Sequence, residues 1–140
     1  MQRRVDWEER AVRFLEDARA RPFAWGTWDC CLFAAGVVEA MTGVDPMPEF
    51  RGRYKSARGS VRALRKYGAG TLVATLDTKF GRVPATHAHR GDLLMSGAAV
   101  GICWGGIAIM LGAEGEREGL LRLHRGEWSD PLAWRVPYGG

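Results

Sequence analysis

The stretch that decides the fold reads FAWGTWDCCLF and occupies residues 23–33. An aromatic connection containing glycine runs directly into an apolar segment at Asp29. From there the apolar residues recur at the spacing of one helical stripe, as Cys30, Phe33, Ala34, Val37 and Met41. Asp29, or Thr27 before it, is suited to cap the first turn, and Thr42-Gly43 ends the segment. The stretch therefore predicts a helix that carries Cys30 in its first turn.

A cysteine in the first turn of a helix is well placed for nucleophilic chemistry. The unpaired N–H groups and the helix dipole stabilise a thiolate, and a lowered pKa makes the sulfur reactive near neutral pH. Such a thiol also needs a base, which papain-like enzymes take from a histidine on the sheet that follows. Cys30 is therefore the candidate nucleophile, with Asp29 beside it. We expect Cys31, one residue further on, to turn into the core, and Cys103 to be a buried apolar side chain.

Outward from this helix, the sequence predicts three more helices and then a sheet. The helices are expected over Val5 to Arg19, Ser56 to Tyr67 and Thr71 to Phe80. The strands are expected over Asp92–Met95, Val100–Trp104, Ile107–Leu111, Leu120–His124 and Leu132–Val136. Gly105-Gly106 predicts a two-residue hairpin between two of these strands. Helices followed by strands indicate one α+β domain over residues 1–140.

The composition is that of an ordinary globular domain. The 140 residues are 46% hydrophobic and 26% charged, which argues against disorder. No apolar run reaches the ~18 residues of a membrane span, and the first residues lack the apolar core of a signal peptide. Three cysteines, two of them adjacent, make no disulfide scaffold, and no second ligand pair completes a zinc site. We therefore expect neither metal nor cofactor.

The net charge of +4 is carried mostly by arginine. The densest basic segment runs from Arg51 to Lys66, without the interleaved aromatic residues or the motifs of nucleic-acid binding. A solvated helix face or a protein contact explains such a segment better. We predict no nucleic-acid binding.

Two later motifs complete a pattern with the Asp29-Cys30-Cys31 segment. They are Gly91-Asp92-Leu93 and Ala99-Val100-Gly101-Ile102, in that order along the chain. From about Phe14 to Leu111 the sequence resembles the NlpC-type branch of the papain-like superfamily, the small cell-wall cysteine peptidases. The resemblance implies N-terminal helices packed on a small antiparallel sheet or half-barrel.

The sequence is more closely similar to a family of small phage and prophage tail proteins that carry this fold. The shared features include Gly52-Arg53-Tyr54 and the closing Ala133-Trp134-Arg135-Val136. This resemblance implies a protein made in the host cytoplasm that resides in the virion, at the tail tip. Its implied partners are the hub and tail-tip proteins.

The chain departs from the peptidase pattern where the catalytic base should be. The family's histidine falls on Ala99, and its third polar residue falls near Met110 or Leu111, which are apolar. General base catalysis alone is typically worth ~10²–10⁴-fold in rate. His89, before the strand that begins near Asp92, is the candidate replacement base. Exposed loop histidines are the simpler interpretation of His89 and of the other two, His87 and His124.

Three functional hypotheses remain open. The favoured one is a structural tail-tip protein with a degenerate peptidase fold. The first alternative is an active peptidase or amidase that opens host peptidoglycan, with Cys30 as nucleophile and His89 or a partner's residue as base. The second alternative is a tail assembly chaperone that binds tail proteins and leaves.

Overall fold

The structure is a computed structural model that describes residues 1–112 and 119–139. Its helices are α1 (Trp7–Asp17), α2 (Cys30–Thr42), α3 (Ala57–Tyr67) and α4 (Leu72–Lys79). Its strands are β1 (Gly81–Val83), β2 (Leu93–Ser96), β3 (Ala99–Trp104), β4 (Ile107–Leu111), β5 (Leu120–His124) and β6 (Leu132–Arg135). Short 3₁₀ turns lie at Ala85–His87 and Arg125–Glu127. The predicted α+β class, with helices first and strands afterwards, is confirmed.

The strands form one open, antiparallel sheet in the order β1-β6-β2-β3-β4-β5. The predicted hairpin joins β3 to β4, with Trp104 paired to Ile107 and Gly105 at φ +72°. A positive φ at this position is what a two-residue hairpin requires, so glycine fits here. Among the described residues, no helix has both the length and the apolar character needed to cross a membrane.

Side-chain capping fixes the starts of three of the helices. Asp29 accepts a hydrogen bond from the Leu32 amide at the start of α2, as the sequence predicts. The side chains of Ser56 and Thr71 likewise accept a hydrogen bond from a backbone amide in the first turn of α3 and of α4. At the other end of α2, Gly43 takes the left-handed conformation (φ +81°) that terminates many helices. The position of Cys30 is therefore set by local sequence.

The sheet buries apolar side chains on both faces, and these alternate along each strand. One face packs against the helices and includes Leu93, Met95, Val100, Ile102, Leu111 and Trp134. The other face includes Leu94, Cys103, Ala108, Met110 and Ala133, and it is covered by Ala88 and Trp128. Helix α2 packs across β3, which brings the start of the helix to the start of the strand.

Two sequence expectations need correction. Helix α1 is shorter than Val5 to Arg19, because it begins after Asp6, and Val5 is fully exposed rather than on the apolar face. Strand β1 was not expected, since Gly81–Val83 is too short to show alternation. It forms by pairing with β6, about fifty residues later in the chain.

Candidate functional site

The thiol of Cys30 lies against the backbone of β3. The backbone N–H of Val100 acts to lower the pKa of this thiol, which places the sulfur near the start of that strand. On one side of β3, Val100 pairs with Met95 of β2. On the other side, the pairs with β4 begin only at Ile102, so Val100 lies outside the β3–β4 pairing. The peptide bond that contains this N–H joins Val100 to Ala99. The structure thus places Cys30 beside the start of β3, where Ala99 occupies the position that the sequence pattern gives to the base.

Asp29 is engaged in structural hydrogen bonds. Its carboxylate is almost completely buried and accepts bonds from the amides of Leu32 and Gly26, each at 3.0 Å. The Tyr54 hydroxyl donates a further bond to the oxygen that Gly26 contacts. With these bonds Asp29 holds the start of α2 in place, which is the role of a helix cap.

The aromatic connection and the Gly52-Arg53-Tyr54 segment interlock around Asp29. Gly26 has φ +82°, and a Cβ there would collide with the Tyr54 carbonyl oxygen. The Gly52 amide in turn donates to the Gly26 carbonyl at 2.8 Å. The glycine and the tyrosine of these two motifs are therefore required by one shared packing arrangement.

Burial outweighs the helix N-terminus at the two adjacent cysteines. Desolvation raises the pKa of the Cys30 thiol, while the Val100 amide acts in the opposite direction and the charge of Asp29 adds to the rise. Burial raises the pKa of Cys31 well above its usual value. Cys31 turns toward an apolar pocket beside Met47 and Leu76, as expected. Both thiols are consequently protonated at neutral pH.

His89 lies at the wrong end of the β2–β3 hairpin to serve Cys30. Its ring Nδ1 is 3.2 Å from the Tyr138 hydroxyl, and its amide donates to Asp92. Ala99 pairs with Ser96 at one end of the hairpin, whereas His89 precedes the Leu93 end. Cys103, which is hydrogen-bonded to Gly91 and Asp92 near His89, is three residue steps along β3 from Val100, about 10 Å at the usual rise per residue. The structure does not bring His89 to the thiol.

The remaining candidates are accounted for by packing. His87 and His124 are exposed, and the His124 amide donates to the Glu127 carboxylate of the short turn that begins at Arg125. Met110 and Leu111 are buried on opposite faces of the sheet. Cys103 is fully buried, as expected, and burial raises the pKa of its thiol. Among residues 1–112 and 119–139, no three metal-ligating side chains gather into a cluster.

Asp92, the acidic residue of the Gly-Asp-Leu motif, joins the two ends of the chain. Its fully buried carboxylate accepts hydrogen bonds from Arg3 at 2.7 Å and Arg135 at 2.9 Å. The amides of His89 and Val136 donate to it as well, at 2.8 and 3.1 Å. A buried charge is tolerated when it is paired and hydrogen-bonded in this way. Asp92 is therefore a structural carboxylate.

Arg3 is the residue of this cluster that the sequence did not indicate. Its guanidinium is buried between the rings of Trp7 and Tyr138, at 4.4 and 4.1 Å from their centroids. It also donates to the carbonyls of Val136 and Arg90. Arg3 and Asp92 lie 89 positions apart, so no local pattern could have revealed their pairing.

Fold and site together define a class: an α+β domain with a half-buried cysteine at a helix N-terminus, near the start of a strand that begins with alanine. The profile of the family described as "Domain of unknown function (DUF6950)" matches residues 2–136, so the chain belongs to that family. No curated protein and no solved structure matches the chain.

Proposed function

We propose that the protein is a structural component of a phage tail tip, with a papain-like fold of the NlpC type that has lost its peptidase chemistry. The proposal depends above all on one observation: the Cys30 thiol lies near the start of β3, beside the Val100 amide, and the residue before Val100 is Ala99. A papain-like peptidase needs a proton acceptor at this place, and alanine has none.

The chemistry of the thiol supports the loss of activity. The thiolate is the nucleophile of cysteine enzymes, and burial raises the pKa of Cys30. His89, the candidate replacement base, is bonded to Tyr138 at the far end of the hairpin. Asp29 has its carboxylate occupied by Tyr54, Gly26 and Leu32. The parts that surround Cys30 therefore serve packing rather than proton transfer.

The features that the chain retains suit a scaffold. The Asp92 cluster ties the N-terminal segment to the segment after β6, and the Asp29 network fixes the start of α2. Arginine is enriched at protein–protein interfaces, and the exposed side of α3 carries Arg58 and Arg62. Hub and tail-tip proteins are the partners that the tail-family resemblance implies, in the virion, after synthesis in the host cytoplasm.

The proposal is tested in particles produced from a genome that encodes this chain. We expect mass spectrometry to find the protein in purified particles, and Cys30→Ala to leave assembly and infectivity unchanged. Cys103→Ala is the matched control for removal of a buried thiol. We also expect the wild-type protein to release no fragments from purified peptidoglycan.

Two results would contradict the proposal and select between its alternatives. Peptidoglycan hydrolysis that is lost in Cys30→Ala but kept in Cys103→Ala would identify an active peptidase. A protein that is needed for assembly and yet absent from finished particles would be an assembly chaperone.

A further inference from the structure

A basic groove of about 410 Å³ lies between α1, the connection before α2 and the outer side of α2. We name it the arginine groove. Its charged lining residues are Arg4, Arg10, Arg21, Arg51 and Glu39, and its aromatic wall includes Trp28. Gly36 of α2 also lines it, at the point where α1 and α2 approach most closely, since a Cβ there would press on the Phe14 ring.

Two of the four arginines are not neutralised within the described part of the chain. Arg10 pairs with Asp6 at 2.8 Å, and Arg51 pairs with Asp45 at 2.6 Å. Neither Arg4 nor Arg21 has an ion pair within residues 1–112 and 119–139. The Arg21 guanidinium instead stacks on the Trp28 ring, 4.1 Å from its centroid. Its N–H donors are thereby held at the wall of the groove.

Trp28 supplies a second, independent observation. Its side chain is 4% exposed, and its indole Nε1 has no hydrogen-bond acceptor among the described residues. The indole groups of Trp128 and Trp134 do have acceptors, the Leu123 carbonyl at 3.0 Å and the Asp77 carboxylate at 2.9 Å. A buried donor without an acceptor is unusual and costly. Because Trp28 lines the groove, this unpaired donor lies behind the groove wall.

We propose that the arginine groove binds a carboxylate of an acidic peptide segment on a partner protein. Two guanidinium groups at the groove have no ion pair among the described residues, so the ligand must bring a negatively charged acceptor. The planar fork of arginine matches a carboxylate in two parallel bonds. The rings of Phe14 and Trp28 offer apolar surface to the peptide beside that carboxylate.

A peptide fits the groove better than a nucleic-acid backbone. Glu39 lines the groove and repels a polyanion, and Arg10 and Arg51 already hold carboxylates of this chain. Nucleic-acid sites present basic residues along a continuous stripe. That the partner is a tail protein rests on the proposed function. Binding of a peptide in the groove can be tested on this chain alone.

The test measures fluorescence anisotropy with a labelled decapeptide that carries one glutamate and one aspartate beside a tyrosine, to match the two unpaired arginines. A peptide with glutamine and asparagine at the acidic positions is its control. The double variant Arg4→Gln/Arg21→Gln removes the unpaired charges, and Arg58→Gln/Arg62→Gln on α3 removes the same charge elsewhere. We expect saturable binding of the acidic peptide only, weakened about tenfold for each groove arginine removed and changed less than twofold by the α3 variant.

A second readout locates the contact. In a ¹H–¹⁵N spectrum, the indole resonance of Trp28 should shift on titration with the acidic peptide, because its ring lines the groove. No saturable binding, equal weakening by both double variants, or a stationary Trp28 resonance would overturn the proposal. Groove-dependent binding of an oligothymidylate but not of the peptide would also overturn it. Peptide binding by a protein that is absent from particles would reject the tail role and leave the groove intact.

Discussion

The hydroxyl of Tyr54 donates a hydrogen bond to the carboxylate of Asp29, the residue that caps α2 directly before Cys30. Both side chains are buried. The bond joins two sequence motifs that lie 25 positions apart. The bond helps to hold the start of α2, which carries Cys30, and it gives Asp29 a structural role.

Replacing Tyr54 by phenylalanine should destabilise the protein without changing its fold. The variant keeps the ring but leaves the buried Asp29 carboxylate with one donor fewer. A hydrogen bond to a charged group is worth about 1.5–3 kcal/mol, and we expect the free energy of unfolding in urea at pH 7 to fall by that amount. Tyr67→Phe, at an exposed ring on α3, is the control and should change little.

The stability of the wild-type protein should also fall more steeply in alkali than that of Tyr54→Phe. Burial and the bond to Asp29 raise the pKa of the Tyr54 phenol. The native state therefore keeps this proton while the unfolded chain loses it from about pH 10 upward. The stabilisation that this hydrogen bond provides is therefore complete below about pH 10 and declines above it. Equal slopes for the two proteins between pH 9 and 11 would contradict this role of Tyr54.

Removal of the Asp92 charge should be the most damaging of the polar substitutions. In Asp92→Asn, the buried guanidinium of Arg3 loses its charged partner. Breaking one side of a buried ion pair costs about 3–5 kcal/mol, which urea unfolding can measure directly. Glu8→Gln breaks the exposed pair with Arg90 and should have little effect. Similar losses in both variants would show that burial of the Asp92 pair does not matter.

Local signals were enough to predict much of the helical half and the central strands. Asp29 and Gly43 bound α2, and the run from Ile107 to Leu111 is strand β4 as predicted. These features depend on caps, turns and alternation within a few residues. Strand β1 was missed, because its three residues become a strand only by pairing with the distant β6.

The candidate site was predictable in part. The placement of Cys30 at a helix start follows from the cap, and its position near the start of β3 agrees with what the family resemblance implies. The raised pKa of Cys30 could not be predicted, because it depends on how deeply the sheet buries the thiol. The roles of Arg3 and Trp28 also depend on contacts between distant segments, and residue type alone gives no indication of them.

The glycine of the Ala-Val-Gly-Ile motif is required by packing. A Cβ at Gly101 would collide with the Ile109 carbonyl and the Met110 sulfur on β4. We expect Gly101→Ala to destabilise the protein by about 1–3 kcal/mol, the usual cost of overpacking. Gly106→Ala is the matched control, because a Cβ there meets open space. Thermal unfolding of the two variants side by side distinguishes them, and equal melting temperatures would refute the packing argument.

Restoring a histidine at position 99 should partly activate the thiol. Position 99 directly precedes Val100, whose backbone N–H acts to lower the pKa of the Cys30 thiol. A nearby imidazolium lowers a thiol pKa by about 1–3 units. Ala99→His should therefore speed the alkylation of Cys30 at pH 7 about tenfold or more. Ala98→His, in the exposed turn before β3, is the control. An equal effect of both histidines would contradict the proposed alignment of Cys30 with Ala99.

The most direct test of the central claim is the pH dependence of Cys30 alkylation by iodoacetamide. A Cys31→Ala/Cys103→Ala background leaves Cys30 as the only thiol, and the same protein in urea gives the unfolded reference. A structural cysteine is expected to react slowly, with an apparent pKa above the free-thiol value of about 8.5. An apparent pKa several units below that value would reveal an activated thiolate, contradict the structural account and make the peptidase the better explanation.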